Sequence, residues 1–121
     1  MPDSPDTTEI NDDTITRRPM VLAIGGHDPG GGAGIQADIE ALASQGCHAA
    51  TVITALTVQD TRDVQDFRPL DAVELIAQAR AVLEDMPVAA FKLGMLGSVE
   101  NIEAIQPQVV VTYAVHGISG F

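Results

Sequence analysis

The chain has 121 residues, of which 45% are apolar and 19% charged, with no Trp, one Tyr and three Phe. That is one domain at most, or part of one, with enough Ala, Val, Ile and Leu to build a core. A formal net charge of −11 argues against nucleic acid and against an anionic membrane surface as partners. It leaves a phosphate ligand open, because backbone N–H groups or a bound metal supply positive field locally.

Cys47 is the single cysteine, so no internal disulfide forms. No basic stretch followed by an apolar segment opens the chain, and no uninterrupted apolar window approaches the ~18 residues of a membrane span. A cytoplasmic protein is expected. His27, His48 and His116 have no metal-ligand spacing with one another or with Cys47, so no metal site is expected from these residues. Residues 1–18 carry five acids and two bases, a net −3, and leave −8 for the rest. This segment reads as a disordered acidic tail, and residues 19–121 as the folded part.

Taken in chain order, an apolar run over about Met20–Gly25 is the first strand. A helix follows over about Gly34–Ser44, with Ile35, Ile39 and Leu42 on one face and Gly46 at the C′ position. A second strand, about Ala49–Val58, is rich in Thr, Val and Ile and reads as buried on both sides. Asp71 and Glu74 have capping-box spacing and open a second helix, whose apolar face is read as Val73, Ile76, Ala77 and Leu83, interrupted by Arg80. A third strand covers about Val88–Leu93. Ser98 caps a short helix to about Ile105, and Val109–Val115 reads as a fourth apolar stretch in strand position.

This alternation predicts an α/β fold, a three-layer parallel sheet with helices on both faces joined by right-handed crossovers. Ligands in such sheets sit at the carboxyl ends of the strands. The segments Gly25–Gly34, Gln59–Arg62 and Gly94–Gly97 all follow strand ends, so topology gathers them on one rim. The first is Gly-Gly-His-Asp-Pro-Gly-Gly-Gly-Ala-Gly. Glycines allow close backbone approach, and a helix N-terminus behind them presents N–H groups to a polar or anionic ligand.

GGHDPGGGAGIQAD, then TVITALTVQDT from Thr51 to Thr61, then KLGML from Lys92 to Leu96, resemble in that order the N-terminal half of the hydroxymethylpyrimidine/phosphomethylpyrimidine kinases. The similarity runs from about Val21 to about Ile105. It implies a ribokinase-like fold and ATP-dependent phosphorylation, with Mg²⁺, of 4-amino-5-hydroxymethyl-2-methylpyrimidine and its monophosphate in thiamine biosynthesis. It also suggests a homodimer. By resemblance the substrate-binding residues are Gly26 and Ala33 against the ring, Asp38 at the hydroxymethyl or amino group, Thr57 beside the ring, Gln59 on the amino group and ring nitrogen, and Met95 as an apolar wall. Asp38 also reads, from its position alone, as an acid favouring the dipole of its helix.

His27, Gly30, Thr57 and Asp60 stand where the family commonly has Ser or Thr, Ser, Val and Asn. The family's GTGC-type anion hole and catalytic base have no counterpart in the 121 residues, which predicts a truncated member with its catalytic residues elsewhere. An inactive or partner-dependent pyrimidine-binding fragment is the alternative. A dinucleotide-binding domain is a third reading: Gly32 to Ala37 fits G-x-G-x-x-A, and Asp60 lies where a ribose-binding acid belongs. Against it, Gly26–Gly31 separates that fingerprint from the first strand.

Overall fold

A computed structural model describes residues 18–116. The acidic tail expected over residues 1–18 lies outside them, apart from Arg18, whose guanidinium donates to the Cys47 carbonyl at 3.0 Å. The elements are β1 (Met20–His27), α1 (Gly34–Ser44), β2 (His48–Gln59), β3 (Val64–Pro69), α2 (Ala72–Leu83), β4 (Ala90–Leu93) and α3 (Val99–His116).

The four strands lie in the order β3-β2-β1-β4. β1 pairs in parallel with β2 on one side and β4 on the other. A central parallel strand is buried on both faces, which is why β1 is a continuous apolar run and not an alternating one. Leu22, Ile24, Val52 and Phe91 point to one face and meet Leu75 and Ala79 of α2 and Ile105 of α3. On the other face α1 covers β1 and β2, with Ile35 against Gly25. The three expected layers are present.

The C-terminal end of α1 follows the sequence. Gly46 has φ +79°, and the Gly46 and Cys47 amides donate to Ala43 and Leu42. This is a Schellman stop, for which glycine is the natural residue. α2 opens with the expected capping box: the Glu74 amide donates to Asp71 Oδ1 at 2.9 Å, and the Asp71 amide to Glu74 Oε1 at 3.1 Å.

Three expectations are corrected. First, Val64–Pro69 is an antiparallel edge strand on β2, so the sheet is mixed rather than wholly parallel. All six of its residues are exposed, so no burial alternation marks it in the sequence. Its charges and terminal proline are the marks of a protected edge. Second, Val109–Val115 is not a strand, since α3 runs on through Pro107 to His116. Ile102, Ile105 and Val109 line one apolar cleft, and helical spacing is what keeps them on one side. Third, α2 buries Leu75 and Ala79, while Val73 is 76% exposed. The stripe Leu75, Ala79, Val82 avoids Arg80 altogether.

The outer edge of β2 beyond its pairing with β3 is partly sealed by a side chain. Ile53 N–H donates to Gln78 Oε1 and Gln78 Nε2 donates to the Ile53 carbonyl, both at 2.9 Å. One amide from α2 thus takes the place of a strand partner, satisfying groups that would otherwise go unpaired.

Candidate functional site

β1 is the point where the connections diverge. The chain leaves it through α1 to β2 on one side and returns through α2 to β4 on the other. Two crossovers leaving in opposite directions open a crevice at the carboxyl end of the strand between them. A cavity of about 230 Å³ lies there, lined by Gly25 to Asp28, Ala33, Gly34, Asp38, Thr57, Gln59, Lys92, Gly94 and Met95. It is smaller than the roughly 300–1,000 Å³ of sites for drug-sized ligands, and suits a single ring. Gly26, Ala33, Asp38, Thr57, Gln59 and Met95, picked out from the sequence, all line it.

The glycine-rich loop is held by one buried acid. Asp28 is 7% exposed. Its Oδ1 accepts from Gly30 N–H and its Oδ2 from Ala33 N–H, each at 2.9 Å. The Asp28 amide donates to Gln36 Oε1 of α1 at 3.0 Å. A carboxylate accepting two amides stabilises the loop more than neutral acceptors would. Gly34 has φ +66°, and a Cβ there would run into the carbonyl oxygen of Gly26. Only glycine fits a positive φ packed against backbone. No side chain caps α1, whose first turn borders the cavity. This leaves the helix start facing whatever binds.

The second wall comes from β2. Where β1 runs out, Gly25 pairs with Ile53 and His27 with Leu56, so β2 carries one extra residue there. Such bulges re-aim side chains beside binding sites. Thr54, fully buried, donates from its hydroxyl to the Met95 carbonyl at 2.6 Å and so ties the Gly94–Met95 segment to β2. Beyond the bulge, the Thr57 hydroxyl donates to the His27 carbonyl at 2.7 Å, and Gln59 Nε2 donates to Thr57 Oγ1 at 2.7 Å. Met95 Cε lies close to Gly26: a Cβ added there would come within 2.8 Å of it. Gly26 is therefore the floor and Met95 the flexible wall above it.

Asp38 is occupied in a way that its place in the sequence does not show. Lys92 Nζ lies 2.9 Å from its Oδ1 and 3.0 Å from its Oδ2. The Asp38 side chain is 14% exposed and that of Lys92 46%. No acid occupies the first turn of α1, so the dipole account does not explain Asp38. Lys92 itself went without a role in the sequence: a lysine at the end of a short parallel strand gives no periodic signal, and its partner is 54 positions away. Asp28 and Gln36 also went without a role, although their partners are only two to eight positions away, because a polar residue in or after a glycine-rich loop does not show whether it faces a ligand or the loop's own backbone.

Asp60 does not line the cavity. It belongs to the β2–β3 turn, where its carboxylate accepts from the amides of Arg62 and Asp63 and from the Arg62 guanidinium. Those hydrogen bonds, first of all the one from the Arg62 amide, hold its pKa below the ordinary value of 3.8. The dinucleotide reading thereby loses its ribose-binding acid.

A parallel core with a crevice at its divergence point, floored by a glycine loop and a helix start, is the architecture of the ribokinase-like α/β fold. The crystal structure of phosphomethylpyrimidine kinase from Clostridium difficile superposes with a TM-score of 0.70 at 36% identity, over 83% of this chain and 42% of that one. An ADP complex of Bacillus subtilis pyridoxal kinase superposes with a TM-score of 0.72 at 30% identity, over 78% and 36%. Residues 28–118 match the family model of phosphomethylpyrimidine kinase. The hydroxymethylpyrimidine/phosphomethylpyrimidine kinase of Streptomyces coelicolor is 45% identical over 87 residues, 72% of this chain and 32% of that protein. The chain belongs to the phosphomethylpyrimidine kinase family. It spans about a third of the length of the curated relatives it matches.

Kinases of this family use ATP. Among the described residues, however, no group of three or more His, Cys, Asp and Glu could hold a metal ion. The lysine of the cavity is already paired with Asp38. These residues do not fit a nucleotide with its cation. Among the described residues no helix is long and apolar enough to cross a membrane.

Proposed function

We propose that the cavity at the end of β1 binds 4-amino-5-hydroxymethyl-2-methylpyrimidine and its monophosphate, the substrates of an ATP- and Mg²⁺-dependent phosphorylation in thiamine biosynthesis. The observation that carries this is the convergence of three separate motifs on one ring-sized cavity. Gly26 and Ala33 offer close backbone approach to a flat face, and Met95 offers a polarisable apolar wall opposite. Gln59 supplies a donor and an acceptor side by side, the complement of an aminopyrimidine edge. Asp38, paired with Lys92, accepts a hydrogen bond from the hydroxymethyl or amino group. In this role Thr57 is a substrate-side residue that also steadies Gln59.

The partners that follow are a small pyrimidine in the cytoplasm, with neither nucleic acid nor membrane, in keeping with the net charge of −11. A homodimer rests on the family resemblance alone. The lack of a nucleotide-fitting site among the described residues favours one further reading: a fragment that binds pyrimidine and needs a partner for phosphoryl transfer.

Calorimetric titration of the purified 121-residue chain with the hydroxymethylpyrimidine, without nucleotide, tests the proposal. Saturable one-to-one binding supports it, and no heat from a chain shown to be folded overturns it. Adding ATP and Mg²⁺ then separates the two readings, because the fragment binds without turnover.

A further inference from the structure

The polar wall of the cavity is a relay of three groups. The His27 carbonyl accepts from Thr57 Oγ1 at 2.7 Å, and Thr57 Oγ1 accepts from Gln59 Nε2 at 2.7 Å. A carbonyl oxygen cannot donate, so the one hydroxyl proton of Thr57 is committed to His27. What Oγ1 then offers Gln59 is lone pairs only. The amide must turn its NH₂ toward Thr57, because the flipped amide would bring two acceptors together at hydrogen-bond distance. The backbone of β1 thereby dictates which way a side chain of β2 faces, where an isolated amide could adopt either orientation.

The consequence lies on the other edge of the amide. Oε1 and the second N–H of Gln59 remain to read a ligand, in a fixed order. We propose, on the basis of the pyrimidine reading above, that Thr57 is a specificity-determining residue: by locking the Gln59 amide, it makes the cavity select a 4-amino over a 4-oxo pyrimidine. A 4-aminopyrimidine presents an exocyclic N–H donor beside a ring-nitrogen acceptor, which matches Oε1 and N–H as they stand. The 4-oxo ring, with its proton on the neighbouring nitrogen, presents the opposite order and matches only the flipped amide. With the 4-oxo ring the carbonyl oxygen faces Oε1 and the ring N–H faces the amide N–H, so both contacts are lost and their polar groups go unpaired, which a site built to hydrogen-bond its ligand rejects.

Thr57→Val removes both hydrogen bonds at nearly constant volume, and Thr57→Ser keeps both. Affinities of the 121-residue chain and the two variants are measured calorimetrically for 4-amino-5-hydroxymethyl-2-methylpyrimidine and for its 4-oxo analogue, with thermal melts confirming that each variant is folded. The expected result is a strong amino preference in the parent chain and in Thr57→Ser. In Thr57→Val the preference falls by roughly tenfold, the scale on which a bidentate amide contact discriminates. An unchanged amino-to-oxo ratio in Thr57→Val overturns the lock while leaving the pyrimidine site standing, since a merely structural role would weaken both ligands alike. Binding of neither ligand by the folded parent chain overturns both. A ligand-free measurement reads the lock directly: the side-chain amide signals of Gln59 should be displaced from free-glutamine shifts in the ¹H–¹⁵N spectrum of the parent and of Thr57→Ser, the proton bonded to Thr57 most of all. They should approach free-glutamine shifts in Thr57→Val, and identical spectra there overturn the proposal.

Discussion

The two walls of the cavity are built by different means. The β1 wall, from Gly26 to Gly34, is shaped by backbone: a positive φ at Gly34, a buried carboxylate tying two loop amides, and a helix start behind. The β2 wall is shaped by side chains, the Thr57 hydroxyl and the Gln59 amide, next to an edge strand whose every residue is exposed. The difference separates shape from selectivity. Changes on the β1 wall act on folding and binding together, whereas changes on the β2 wall alter what is bound in a scaffold that stays intact.

The largest effect is expected at Gly34. Gly34→Ala places a methyl group against the Gly26 carbonyl in a left-handed conformation. The loss of stability should exceed the roughly 1–3 kcal/mol of a strained residue alone, seen in denaturant melts together with loss of ligand binding. Asp28→Ala comes next. It leaves the Gly30 and Ala33 amides without their partner; both residues are exposed, so the cost is about 0.5–1.5 kcal/mol for each hydrogen bond lost, and it should also abolish binding. Gln59→Ala, on the other wall, should keep the melting transition within about 0.5 kcal/mol of the parent, as for most surface changes. Pyrimidine binding should nonetheless be lost in calorimetry. If Gln59→Ala unfolds the chain, or binds as tightly as the parent, the contrast between the walls fails.

The smallest effect concerns the turn beneath the β2 wall. Asp60 titrates below 3.8 in the folded chain. A carboxyl whose pKa is depressed by folding stabilises the turn above its unfolded pKa, and that contribution disappears as pH falls through the lower, folded value. An NMR titration should place the Asp60 midpoint below that of a free aspartate. The turn amides of Arg62 and Asp63 should shift with it.

What the sequence discloses and what it hides follow the same division. Local signals came through: the glycine loop, the Schellman stop at Gly46 and the capping box at Asp71 each depend on neighbours a few positions apart. The rim was also legible, because topology alone brings three strand ends together, and six residues chosen by motif lie around one cavity. Hidden were features that depend on distant partners or on burial that never occurs. β3 is exposed throughout, so it lacks an alternating pattern. The last helix was expected to end near Ile105, but α3 continues across Pro107, with Ile105 and Val109 on the same side. Lys92 shows its place only when Asp38, 54 residues earlier, is brought beside it.

The central claim, that this cavity is the pyrimidine site, is tested most directly by ¹H–¹⁵N shift mapping of the labelled chain during titration with 4-amino-5-hydroxymethyl-2-methylpyrimidine. Perturbations should concentrate on Gly26, Ala33, Asp38, Thr57, Gln59 and Met95, with the Gln59 side-chain amide among the largest. Shifts gathered instead along the apolar cleft of Leu93, Ile102 and Val109, or no shifts at saturating ligand, would contradict it.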